Sequence, residues 1–179
     1  MRHCVFFAFL YMDIDFFHRI LSVDSTSGKE AALADILAAE LAGPGRKVET
    51  YDVGDGTKNL LVSWGIPKVI FCTHLDTVPP YISPVMDGEV ICGRGSCDAK
   101  GQIFAMYEAC KVLESRGCDG FGLLLLAGEE TPASRDVPGE RGRLSSCIWN
   151  LGFFPNDARK NCPFVLTSFT GWSSERCPV

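Results

Sequence analysis

The sequence has no cluster of lysine and arginine, no internal repeat, no single-residue tract, and no apolar run near the ~18 residues that a membrane-spanning helix needs. With 17 basic against 22 acidic residues and a net charge of -5, it argues against a surface built for nucleic acid or anionic membrane. Histidine is scarce, with only His3, His18 and His74. Cysteine is not scarce, but nine is an odd number and the spacings form no compact framework, so free thiols in a reducing compartment are expected rather than disulfides. Cys92 and Cys97 have four residues between them and no second pair at zinc-finger spacing, which argues against a structural zinc knuckle.

What remains is the composition of one globular domain: 179 residues, 46% hydrophobic and 22% charged. Residues 1–12 (MRHCVFFAFLYM) open with a positive charge and an apolar run, yet carry no small-residue cleavage site and meet Asp13 and Asp15 at once. They read as an upstream extension rather than a signal peptide, with Met12 as an alternative start, and the expected location is cytoplasmic.

Periodicity predicts two short helices first. In residues 13–22 the apolar positions Ile14, Phe17, Ile20 and Leu21 share a helical face. Ser27 then stands three residues before Glu30 as a capping box, and Leu33, Ile36, Leu37 and Leu41 line a second helix until Gly43-Pro44-Gly45 stops it. Residues 47–52 and 59–64 read as strands around an Asp55-Gly56 turn, while residues 68–73 and 121–127 are continuous apolar runs of the kind buried on both faces of a sheet. Between those runs, residues 101–116 predict a long helix with Ile103, Met106, Tyr107, Cys110 and Leu113 on its apolar side and Gly117 as its stop. The expected fold class is α/β, a mixed and mostly parallel sheet flanked by helices. Residues 132–179 turn to Pro, Gly, Arg and Cys with no sustained period, and no secondary structure is predicted there.

Three motifs carry chemistry, each at the end of an element. Thr73-His74-Leu75-Asp76 follows a buried strand, at the carboxyl end where ligands gather in open α/β sheets. The spacing of two places His74 and Asp76 on one side of an extended segment, so an imidazole nitrogen can bind a metal while the carboxylate orients it. Alone, the pair also fits an ordinary hydrogen-bonding histidine. Residues 93–101 (GRGSCDAKG) lead into the long helix. They match neither phosphate-loop pattern, because Lys100 precedes Gly101 and Asp98 stands where a third glycine belongs. A carboxylate held there by Gly95 and Gly101 suits a pair of cations. Gly128-Glu129-Glu130-Thr131 closes the second apolar strand, where a buried carboxylate needs a partner. Adjacent side chains diverge along a strand, so one glutamate is expected to bind metal and the other to move a proton. The plain alternative is a solvated acidic turn.

Together the residues at 74, 98, 129 and 130, with the opening Ser25-Thr26-Ser27-Gly28-Lys29-Glu30, resemble the dizinc amidohydrolase and metallopeptidase family of acetylornithine deacetylase and succinyl-diaminopimelate desuccinylase over residues 13–131. The resemblance implies a zinc-exopeptidase-like catalytic domain, here truncated, that hydrolyses the amide bond of N-acyl amino acids or short peptides. It implies two zinc ions, with Co2+ or Mn2+ as substitutes. His74 would hold one ion, Asp98 would bridge, Glu130 would hold the other, Asp76 would orient His74, and Glu129 would be the general base; Lys100 has no catalytic role. Small-molecule substrates are the implied partners, with neither nucleic acid nor membrane.

Two further ligands of that family are not matched: an acidic residue some way past the glutamate pair, for which Asp157 is a poor fit, and a distal histidine. The lid domain that carries dimer contacts in the family has no counterpart either. The competing expectation is therefore a truncated, inactive chain with at most weak metal binding, residues 132–179 being foreign to the family; a non-enzymatic zinc-binding module is the third.

Overall fold

The computed structural model describes residues 12–54, 56–88 and 90–130, together with the backbone of strand Phe164–Thr167. Helix α1, Ile14–Leu21, starts at Asp13, whose side chain accepts the Phe16 amide at 2.8 Å and satisfies one donor of the helix's open end. Its buried residues are Phe16, Ile20 and Leu21 with Phe17 half-buried against the core, so three of the four expected positions face inward, while Ile14 is exposed and Phe16 takes its place. Helix α2, Glu30–Glu40, buries Leu33, Ala34 and Leu37, with Leu41 following, and exposes Ile36. Each fully buried leucine contributes about 2 kcal/mol.

The expected capping box at α2 is not formed. Lys29 occupies the N-cap position with no side-chain hydrogen bond. The Ser27 hydroxyl instead donates to Asp76 Oδ2 at 3.0 Å, and Glu30 Oε2 accepts the Gly28 amide at 2.9 Å. Tertiary demand from a buried carboxylate overrides the local pattern.

Strands β1 (Arg46–Gly54) and β2 (Thr57–Trp64) form an antiparallel hairpin, as the turn signal predicts. Strand β3 (Val69–His74) is followed by a two-stranded ribbon of β4 (Val85–Asp87) and β5 (Val90–Cys92), which the sequence did not announce. Helix α3 (Lys100–Ser115) leads through Gly117 to β6 (Phe121–Leu126). The main sheet has the order β1-β2-β6-β3-β7, where β7 is Phe164–Thr167. β2 pairs antiparallel with β6, while β6 with β3 and β3 with β7 are parallel. A strand at β7 departs from the expectation of no secondary structure in residues 132–179.

β6 is buried along its whole length, as its unbroken Phe-Gly-Leu-Leu-Leu-Leu run requires at the middle of a sheet. β3 is less enclosed than expected, with Val69 and Phe71 half-buried. Alternation along the strands splits the core in two. Leu60, Val62, Trp64, Phe121, Leu123 and Leu125 face α1, α2 and α3, while Leu61, Ile70, Cys72, Leu124 and Leu126 form a smaller cluster on the reverse side. On α3 the buried set is Ile103, Phe104, Tyr107 and Cys110, with Met106 and Leu113 at the edge. Phe104 stacks on Phe17 with centroids 4.9 Å apart. Cys97, Cys110 and Cys118 are free thiols, and burial pushes the Cys110 thiol up to about 12.

The start of β1 is bolted to the end of α3 through Arg46. Its guanidinium meets the Glu114 carboxylate in a two-pronged ion pair, with Nε to Oε1 at 2.8 Å, and Nη1 donates to Tyr107 Oη at 3.1 Å and to the Leu41 carbonyl at 3.2 Å. Trp64 Nε1 donates to the same Glu114 Oε1 at 2.9 Å, and the guanidinium carbon lies 5.4 Å from the Trp64 ring centre. The Arg46 hydrogen bond holds the Glu114 carboxyl below its ordinary value of 4.5. A depressed folded value adds stability above pH 4.5, and that stability is lost as pH falls through the folded value. Glu114→Gln is therefore expected to destabilise the fold by about 1–3 kcal/mol at pH 7 and to flatten the acid limb of a urea-denaturation series. An unchanged acid limb would show that Glu114 contributes no such linkage.

Candidate metal centre

The parallel pairing of β3 with β6 brings their carboxyl ends side by side, His74 opposite Leu126. His74 is the last residue of β3, and Leu75, fully buried, donates its amide to the Leu126 carbonyl at 2.6 Å. That inward turn of Leu75 leaves His74 and Asp76 on the other side, as the spacing of two predicts. The chain leaving β6 passes through Gly128, whose φ of +75° permits the tight turn that carries Glu129 and Glu130 back over the strand end.

Asp76 is fully buried and its carboxylate is shared among four groups. Oδ1 accepts the Glu129 amide at 3.0 Å and lies 3.4 Å from His74 Nδ1; Oδ2 accepts the Glu130 amide at 2.8 Å and the Ser27 hydroxyl at 3.0 Å. Burial works against its charge, but the bond to His74 and the two amides outweigh it and lower the Asp76 carboxyl below its ordinary value.

His74 Nδ1 is 2.9 Å from the Asp76 carbonyl oxygen and faces acceptors only, so it carries a hydrogen. Nε2 is then the nitrogen turned toward the acidic residues, 3.1 Å from Asp98 Oδ1. Burial opposes protonation of this imidazole, yet Asp76, Glu129 and Asp98 prevail and raise it to about 9. Burial and the neighbouring Glu129 charge raise the Glu130 carboxyl. Such mutual repulsion is what a positive ion would relieve.

Among the described residues, one set of metal-ligating groups lies close together: His74, Glu129 and Glu130, whose ligand atoms are all within 4.8 Å of one another. The expectation that adjacent glutamates diverge assumed extended backbone. Residues 129 and 130 sit in a turn, and both side chains reach the same place. Asp98 joins the group through His74, with its side chain 47% exposed. A donor set of one imidazole nitrogen with carboxylate oxygens suits zinc and related divalent ions.

The glycine loop delivers Asp98 at the mouth of α3, just before the cis Asp98–Ala99 peptide. Gly95 has φ +85°, and a Cβ there would lie 2.9 Å from Thr77 Cγ2; one at Gly101 would collide with the Ser96 carbonyl. Lys100 turns inward, wholly buried, and donates to the Val23 carbonyl at 2.6 Å, its ammonium lowered to about 8 by burial.

Sequence reasoning missed three supporting residues. Gln102 accepts the Thr73 hydroxyl at 2.8 Å and donates to Asp98 Oδ1 at 3.2 Å; its i+4 position from Asp98 on a helix start was the available signal. Asn59, buried at the start of an apolar run, accepts the Ala127 amide at 2.8 Å just before the Gly128 turn. Ser27 was legible as a helix cap and as part of the opening that carries the resemblance, but not as the partner of Asp76. Asp157 and His3 lie outside the described residues, and His18 is on α1.

Residues 70–152 match peptidase family M20/M25/M40, a span that runs past Thr131. A peptidase M20 domain-containing protein of Schizosaccharomyces pombe is 35% identical over 122 residues, covering 62% of this chain and 30% of that protein. The N-acetyl-L-citrulline deacetylase of Xanthomonas campestris is 36% identical over 109 residues, covering 56% of this chain and 28% of its own length. The chain thus spans under a third of the length of these curated relatives. Among solved structures, the aminopeptidase PepT of Bacillus cereus superposes with a TM-score of 0.56 at 26% identity, over 72% of this chain and 40% of that one. With its motifs gathered at the ends of β3 and β6, the chain resembles members of peptidase family M20/M25/M40, whose pattern it matches over residues 70–152.

Proposed function

We propose that the site is the cation-binding core of a metal-dependent hydrolase that cleaves the amide bond of N-acyl amino acids or short peptides, in the manner of acetylornithine deacetylase. The observation that carries this reading is the convergence of His74, Glu129 and Glu130 within 4.8 Å, with Asp98 on His74 Nε2. The deacetylase and aminopeptidase named among the similar proteins both point to amide cleavage on small substrates. A cytoplasmic metabolic role fits such substrates, and no described helix is long and apolar enough to cross a membrane.

In this reading His74, Asp98 and Glu130 would hold zinc, or cobalt or manganese in its place. Bound ions supply Lewis acidity, which sharpens a water as nucleophile and polarises the amide carbonyl. Asp76 keeps the His74 ring fixed through Nδ1 and holds the glutamate turn by its amides. Glu129 takes the proton of the attacking water on its carboxylate and passes it to the departing amine nitrogen. The chain by itself turns over slowly, because His74 is the one imidazole among the described residues that reaches the carboxylates. Too few protein ligands leave a cation weakly held and poorly oriented.

Zinc titration followed by thermal unfolding tests the reading. Zinc at 100 times its dissociation constant is expected to raise stability by about 2.7 kcal/mol, reversibly with a chelator, and His74→Ala should remove the effect. No shift at millimolar zinc would defeat the metal reading.

The two glutamates are separable by affinity. Glu130→Gln is expected to weaken zinc binding roughly 10- to 100-fold, while Glu129→Gln leaves it within a few-fold. The opposite ranking would exchange their roles. Hydrolysis of N-acetylornithine by the zinc-loaded chain should stay close to background; ordinary turnover would overturn the proposal that the chain alone is nearly inactive.

A further inference from the structure

The strap at residues 23–30 precedes the site in sequence and takes no part in the chemistry proposed above, yet it is tied down more closely than a connecting loop requires. It runs beside the segment after His74: the Thr77 amide donates to the Ser25 carbonyl at 3.0 Å, and the Ser27 amide donates to the Thr77 carbonyl at 3.1 Å. The Ser25 hydroxyl donates to the Leu75 carbonyl at 2.9 Å. Lys100 pins the strap's other end through the Val23 carbonyl. Asp24 locks the turn between, accepting the Thr26 amide at 3.0 Å, the Thr26 hydroxyl at 2.8 Å and the Lys29 ammonium at 2.7 Å. All this leaves the Ser27 backbone with little freedom, and its hydroxyl aimed at Asp76 Oδ2.

We propose that Ser27 is a positioning residue of the site, acting through the Asp76 carboxylate. Asp76 Oδ2 has two donors, the Ser27 hydroxyl and the Glu130 amide, while Oδ1 serves the Glu129 amide beside His74 Nδ1. The two amides come from the turn that must be oriented, so they cannot by themselves fix the carboxylate that orients them. Ser27 is anchored from outside that turn. It supplies the fixed point that sets the carboxylate plane, and the plane sets both the His74 ring and the backbone of Glu129 and Glu130. The consequence for cation binding rests on the metal reading above; the consequence for the turn does not.

Amide hydrogen exchange on the metal-free chain, paired with zinc affinity from competition with a chromophoric chelator, tests the proposal. In Ser27→Ala the Glu129 and Glu130 amides are expected to exchange roughly tenfold faster, with residues 123–125 of β6 unchanged, and Ser27→Thr, which keeps the hydroxyl, should restore protection. Zinc affinity should fall about tenfold or more in Ser27→Ala and recover in Ser27→Thr. Unchanged protection at residues 129 and 130, loosening of β6 to the same degree, or loosened amides with unaltered zinc affinity would each overturn it. A parent chain that binds no zinc defeats the metal reading, and the exchange result alone then decides on Ser27.

Discussion

A buried carboxylate without partners is among the costliest groups a fold can contain, and Asp76 is fully buried. The structure around it is organised to keep it ionised. Two amides from the turn after β6, a hydroxyl from the strap before α2 and the ring of His74 from the end of β3 all converge on its two oxygens. Three segments far apart in sequence are thereby held at fixed distances. The same bonds that satisfy Asp76 also bring His74, Glu129 and Glu130 together, so the cost of burying one carboxylate and the geometry of the site are one problem with one solution.

The sheet makes this possible. Because β3 and β6 run parallel and adjacent, their carboxyl ends open on the same edge, and whatever follows each strand meets there. α3 crosses between them on the helix-covered face and begins at that edge, so the loop before it brings Asp98 to His74. Gly95 and Gly101 allow the loop to press against Thr77 and Ser96, where a Cβ has no room. Lower down, Arg46 and Glu114 fasten the first strand to the far end of α3, at a distance in sequence from every site motif.

The elements themselves were legible because apolar periodicity is strong in β2, α3 and β6, and their observed bounds lie within about two residues of the expected ones. The motif residues were legible because each stands at the end of such an element. What misled was the reading of local patterns as locally used. Ser27 and Glu30 have the spacing of a capping box, but Ser27 gives its hydroxyl to a carboxylate 49 residues away, a demand invisible in the local sequence. Glu129 and Glu130 were judged as strand neighbours, whereas Gly128 turns the backbone and aims both inward. Ile14 and Ile36 fit a helical face in the sequence, yet the buried faces are set by Phe16, which packs on Phe104 and Tyr107 of α3, and by Ala34, a choice fixed by tertiary packing rather than by spacing. Gln102 and Asn59 carry no motif, and their roles emerge only once Asp98 and Ala127 are placed beside them.

The central claim is that one imidazole and a group of carboxylates, not thiols, form the cation site. X-ray absorption at the zinc edge of the loaded chain reads this directly. The account predicts a first shell of nitrogen and oxygen at about 2.0–2.2 Å with an imidazole scattering pattern that disappears in His74→Ala. A shell containing sulfur at about 2.3 Å, as Cys92 and Cys97 would supply, would contradict it.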